Sequence, residues 1–176
     1  MQKSNPDRSV LILFSPKVLP VIDLFRGLAE LEENYSSPLL EEQEGQLAAL
    51  IGSQQARAAL SDALLLSFEL KRQRRSLLAF SAVGSRQGSV EEFCLLALIA
   101  AAGFASQPLF VRAATVLNIE PTETLRRLSL DLSKRLSQLF LEGDFTDINR
   151  FEAVVGGGPQ MARDIVPDDS SIKFYF

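Results

Sequence analysis

The spacing of apolar positions divides most of the chain into helix-sized stretches. Val21, Leu24, Phe25, Leu28 and Leu31 recur at intervals of three and four, which places them on one helical stripe. Pro20 suits the first turn of that helix, where a missing N–H costs little. The spacing predicts a helix over 18–33. After a turn at 34–37, Ser37 can cap a second helix that opens at Pro38. Leu39, Leu40, Leu47, Leu50 and Ile51 mark its buried side, and Gly52 is a plausible stop. Glu41, Glu42 and Glu44 crowd its first turns, where the positive end of the helix dipole favours them.

The next stretch is less regular. Residues 54–66 read as helical, rich in alanine and leucine, and SFELKRQRRSLLAF either continues that helix or breaks into two short strands around 71–75. Gly84, Ser85 and Gly88 mark a loop. Ser89 and Glu92 then form a capping box in front of a helix that is apolar nearly all round, so that helix belongs at the centre of the fold. Gly103 interrupts it. Gln107-Pro108 restarts a helix over 109–117, and Asn118 can end it in a left-handed conformation. Pro121 starts the last long helix, with Leu125, Leu128, Leu132, Leu136 and Leu139 as its apolar line and Arg127, Asp131 and Arg135 spaced as i, i+4 pairs. From Asp144 onward polarity and glycine indicate irregular chain, although SIKFYF at the end is apolar enough to dock. Val10–Phe14 reads as a strand or as the lead-in to the first helix. The expected architecture is all-α, an antiparallel bundle on four principal helices with room for a small β element at one end. A single domain over 1–155 is followed by a glycine-rich tail over 156–176.

Composition narrows the chemistry. The 176 residues carry a net charge of −4 and are 47% hydrophobic and 23% charged, which suits a soluble globular domain and argues against a broad basic DNA-binding face. There is no histidine, so the usual general base and the commonest metal ligand are missing. Cys94, the single cysteine, lies in an apolar run and reads as a buried thiol. The run from Phe93 to Ala102 falls far short of the roughly 20 residues needed to cross a bilayer. The polar start MQKSNPDRS does not read as a secretory signal. The expectation is a soluble intracellular protein with no catalytic residues, cofactor, metal or small-molecule substrate.

Local motifs add little alone. RAATVLNIEPTETLRRL resembles a helix-turn-helix, but its second helix has Thr124 and Arg127 where apolar residues belong, with Leu125 and Leu128 one position late. That slip turns the helix by about 100 degrees. The glycines at 156–158 lack the strand-to-helix context of a P-loop.

Three blocks together resemble the coat proteins of rod-shaped plant RNA viruses, the tobamovirus-like family. They are SVLILFSPKVLPVIDLF at 9–25, QPLFVRAATVLN at 107–118, and PTETLRR with LEGDFTDINRFEAVV at 121–127 and 141–155. The resemblance implies a four-helix bundle that stacks into a helical tube around single-stranded RNA, a homo-oligomeric capsid protein of the virion found in the host cytoplasm. Arg126 and Arg127 match the arginine pair of the family's inner helix, Asp131 is a looser match to the acid after it, and the QQAR string makes Arg57 a further RNA contact. Two arginines expected beyond the third helix are Glu120 and Thr122 here, and Arg112 is the candidate substitute. Phe151, with Phe14 and Phe145, would pack in an outer apolar girdle between subunits, and Arg150 and Glu152 would supply charged contacts there. Glu30, Glu32, Glu33, Glu41, Glu42 and Glu44 are candidates for carboxylates brought close across subunits, which would favour assembly as pH falls. A helical DNA-binding regulator or adaptor is the alternative.

Overall fold

A computed structural model of the chain describes residues 12–34, 37–139 and 145–156. Within them the chain is mostly helical. Its elements are β1 (Ile12–Leu13), α1 (Leu19–Asn34), α2 (Ser37–Ile51), α3 (Ser53–Gln73), β2 (Gln87–Gly88), α4 (Val90–Gly103), α5 (Gln107–Val116), α6 (Glu123–Arg135) and α7 (Ile148–Val155). The all-α expectation stands. The expected count of four principal helices becomes seven among the described residues, for three local reasons.

The first is that SFELKRQ continues the helix instead of breaking into strands, so α3 runs to Gln73 before Arg74 takes an extended conformation. Arg72 reaches back three positions to Glu69, 2.7 Å away, which supports that final turn. The second is that Gly103 ends α4 outright. Ala105, at φ 55, reverses the chain and α5 begins at Gln107 with Pro108 in its first turn. The third is α7, which the polarity after Asp144 concealed. Asp147 accepts from the Asn149 N–H at 2.8 Å and caps it.

Other local readings hold. Ser89 Oγ accepts from the Glu92 N–H at 3.1 Å, and the Ser89 N–H donates back to Glu92 Oε2 at 2.7 Å, closing the capping box. Asn118 adopts φ 56 at the end of α5. Thr122 caps α6, which begins at Glu123, two residues after the proline expected to start it.

Packing follows from the apolar faces. α1, α2 and α3 form one group, α4, α5 and α6 a second, and α3 joins them by lying along α6. α7 closes over α4 and α5. Every residue of α4 from Glu92 to Ala102 is buried, as an all-round apolar helix requires. Where α4 ends, a Cβ on Gly103 would meet Ser133 Oγ at 2.1 Å, so only glycine admits this approach to α6. The β element is a two-residue antiparallel bridge pairing Ile12 with Gly88. There a Cβ on Gly88 would strike the Phe14 ring at 2.1 Å.

Candidate nucleic-acid interface and assembly surfaces

The five residues expected at RNA lie on three helices. Arg126 is partly buried on α6, its guanidinium 4.5 Å from the centre of the Phe110 ring and 4.0 Å from Glu123. Arg127, one position on and about 100 degrees round the helix, is exposed, and so is Asp131. The arginine pair therefore divides, with one cation stacked on α5 and the other facing solvent. Lys134 shares the exposed line of Arg127 and Asp131, a cation that the family pattern did not single out. Arg57, near the start of α3, is 80% exposed and 3.4 Å from Glu44. Arg112 on α5 is committed to Glu152 of α7 through bonds of 2.5 and 3.1 Å. That pairing raises the Arg112 pKa and lowers that of Glu152. Asp131 makes no i, i+4 pair with Arg135, which bonds Asp62 of α3 instead.

The residues expected between subunits are mostly turned inward. Phe14, Phe145 and Phe151 are all buried in their own chain. Phe151 stacks on Phe93 of α4 with ring centres 5.7 Å apart, and Phe145 sits tilted against the same ring at 5.7 Å. The expected girdle position of these rings is thus corrected: Phe145 and Phe151 pack on Phe93 beneath α7, and Phe14 is buried at the β1–β2 bridge beside Gly88. For Phe145 and Phe151 the cause is α7, whose amphipathic face docks on α4 and α5 of its own chain. Glu152 closes the same docking through Arg112, and Arg150 is half-buried on α7.

Among the candidate carboxylates, Glu30, Glu41 and Glu42 are exposed and Glu44 faces Arg57. The side chains of Glu32 and Glu33 lie outside the described residues, as does the tail over 157–176 with SIKFYF. Among the described residues no cluster could hold a metal ion, and no helix is long and apolar enough to cross a membrane. Burial pushes the Cys94 thiol up to about 12, away from nucleophilic chemistry.

Two features escaped the sequence reading. One is an unpartnered face on α3, where Leu64, Leu65 and Phe68 are 36%, 51% and 54% exposed. Arg57 and Arg72 bracket this face, and the exposed face of α2 carries Glu41 and Glu42. The other is a buried charge network. Arg26 of α1 donates to Glu92 Oε1 at 2.6 Å, to Asp23 at 3.0 Å, and to the carbonyls of Ser85 and Gln87 at 2.7 and 3.0 Å. The Ser81 N–H and hydroxyl donate to Glu92, and the Gly84 N–H to Asp23. Burial raises the Asp23 pKa against the opposing pull of the Gly84 N–H and Arg26. Arg26 is also disfavoured by burial, but Glu92 and Asp23 beside it more than offset this and raise its pKa. The clue was available: Asp23 and Arg26 interrupt the otherwise apolar run from Val21 to Leu28. The network fastens the loop before α4 onto α1 and α4, and is structural in its chemistry.

No family model matches the sequence, and neither known proteins nor solved structures yield a match to it.

Proposed function

We propose that this chain is a structural subunit that assembles with copies of itself around single-stranded RNA, in the manner of helical plant-virus coat proteins. On this reading α1, α2, the α4–α5 unit and α6 correspond to the four helices of such proteins, and α3 is an extra helix that joins the α1–α2 pair to α6. The observation that carries the proposal is the apolar face of α3. An exposed Leu-Leu-Phe cluster on a helix is a common mark of an association surface. Arg57 and Arg72 beside it are opposite in sign to Glu41 and Glu42 on α2. Contact between the α3 face of one copy and the α2 face of the next is head-to-tail, and head-to-tail contacts generate rings or filaments. Arg127 and Lys134 on α6 are the phosphate contacts best placed in solvent, and Phe104, exposed beside the α4–α6 contact, can stack on a base.

The register of α6 disfavours a duplex-DNA reader. Thr124 and Arg127 are exposed and Leu125 is buried, so the supposed second helix presents the wrong face. The test is sedimentation velocity with negative-stain microscopy, from about pH 8 to about pH 5, where carboxylate repulsion weakens, with and without a single-stranded RNA. Rods or stacked rings that grow with acid and RNA are expected. A monomer throughout, taking up no RNA, would overturn the proposal.

A further inference from the structure

Between α1, α3 and the segment 74–83 lies a cavity of about 670 Å³, a size typical of small-molecule sites. Phe25, Leu28 and Leu70 form its buried floor, and Leu78 and Phe80 line it part-buried. Leu77 stands at the lip, 66% exposed. Three cations border this apolar space. The Arg26 guanidinium has four of its five N–H donors engaged by the network described above. Arg74 is committed to the Leu117 carbonyl at 2.5 Å, to Glu91 at 2.7 Å and to the Ser76 carbonyl at 3.1 Å. Lys71 differs. It is half-buried, and desolvation holds its ammonium below the ordinary lysine range. An ammonium has three donors and can take an added acceptor beside the contacts it already makes.

We propose that this cavity binds an amphipathic monoanion, an aliphatic chain carrying one carboxylate that meets Lys71. The wall chemistry selects the class. Both arginines are occupied, so too few donors remain for a phosphate or nucleotide, and Glu30 at the exposed edge repels a multiply charged ligand. The apolar floor accepts methylenes, each strengthening binding about fourfold. An incoming carboxylate stabilises the charged form of Lys71, so binding takes up protons at alkaline pH and weakens as pH rises through the lysine's lowered pKa. The site is independent of the assembly proposal.

Isothermal titration of the full chain with hexanoate, octanoate and decanoate tests it, with decanol and decyltrimethylammonium as controls. Affinity should climb about fourfold per methylene, and decanoate should exceed decanol about tenfold. Lys71→Met should reduce decanoate to the level of decanol while leaving decanol unchanged. Ala29→Trp fills the cavity from α1 and should abolish both. Ser67→Leu makes the same measurement from α3 should the tryptophan variant fail to fold. The proposal is overturned by absence of binding, by equal affinity of wild type for decanoate and decanol, or by binding that survives the filling variants.

Discussion

Glu92 is where removal of a few atoms should be felt most widely. Four donors converge on its carboxylate: Arg26 Nε at 2.6 Å and the Ser81 N–H at 3.0 Å on Oε1, the Ser81 hydroxyl at 3.1 Å and the Ser89 N–H at 2.7 Å on Oε2. In Glu92→Gln the amide keeps its oxygen toward Arg26 and Ser81 and turns its NH₂ toward Ser89. The serine hydroxyl can rotate to accept. The Ser89 N–H cannot, so one buried donor is orphaned and the Arg26 bond loses its ionic character, together about 3 kcal/mol. Glu92→Met removes every acceptor and leaves Arg26 with Asp23 as its one carboxylate, a loss of about 5 kcal/mol. For a domain of this size each kcal/mol lowers Tm by about 2–4 °C. The expected falls are therefore about 6–12 °C for the glutamine variant and about 10–20 °C for the methionine variant. Urea unfolding with an unchanged m-value would place the losses in the native state. A methionine variant within about 1 kcal/mol of wild type would refute the network as a closed, dry unit.

Three further perturbations act on the same buried packing. Asp23 has its pKa raised in the fold, so its charged form opposes folding above that pKa and the penalty lifts as acid protonates it. Wild type should accordingly gain stability relative to Asp23→Asn as pH falls from about 7 toward the carboxylate range near 4; a constant difference across denaturation curves would rule the shift out. Phe151→Ala removes a stacked ring and about 3–5 kcal/mol of core packing. Hydrogen exchange should quicken across Ile148–Val155 while α1 remains protected, and uniform acceleration would instead show that α7 unfolds only with the whole domain. Gln43 is buried with neither amide atom bonded among the described residues. Gln43→Met should raise stability by about 1 kcal/mol in urea titration, and a loss would reveal a partner for the amide.

The sequence was legible wherever a local signal acted alone. The α1 stripe, the Ser89–Glu92 capping box, the left-handed Asn118 and the apolar line of α6 each depend on neighbours within a few residues. The reading failed where tertiary partners decide. The local Glu69–Arg72 pair favours a helical 66–73 but does not decide it, and part of the support is Gln73 accepting from the Glu120 N–H at 2.7 Å, far along the chain. α7 is only eight residues long and marginal alone; it exists because Phe93 and Arg112 wait for it on α4 and α5. Among the site residues, exposure of Arg127 followed from the helical period, whereas the burial of Phe14, Phe145 and Phe151 required knowing what lay opposite them.

That burial changes which surface an assembly can use. A contact built on Phe151 would first have to lift α7 from Phe93, at a cost of about 3–5 kcal/mol in every copy, and also break the Arg112–Glu152 pair. The α3 face carries no such cost. Its inner side is already spent on α6 and the segment just before it, through Arg135 to Asp62 and Gln73 to the Glu120 N–H, so Leu64, Leu65 and Phe68 are left outward in the folded monomer. Association should therefore be more sensitive to Leu65→Glu with Phe68→Lys than to Phe151→Ala. Sedimentation velocity at matched concentration would show the double variant dissociated while Phe151→Ala still associates. The reverse order would return the contact to α7 and mean that the monomer opens before it joins its neighbours.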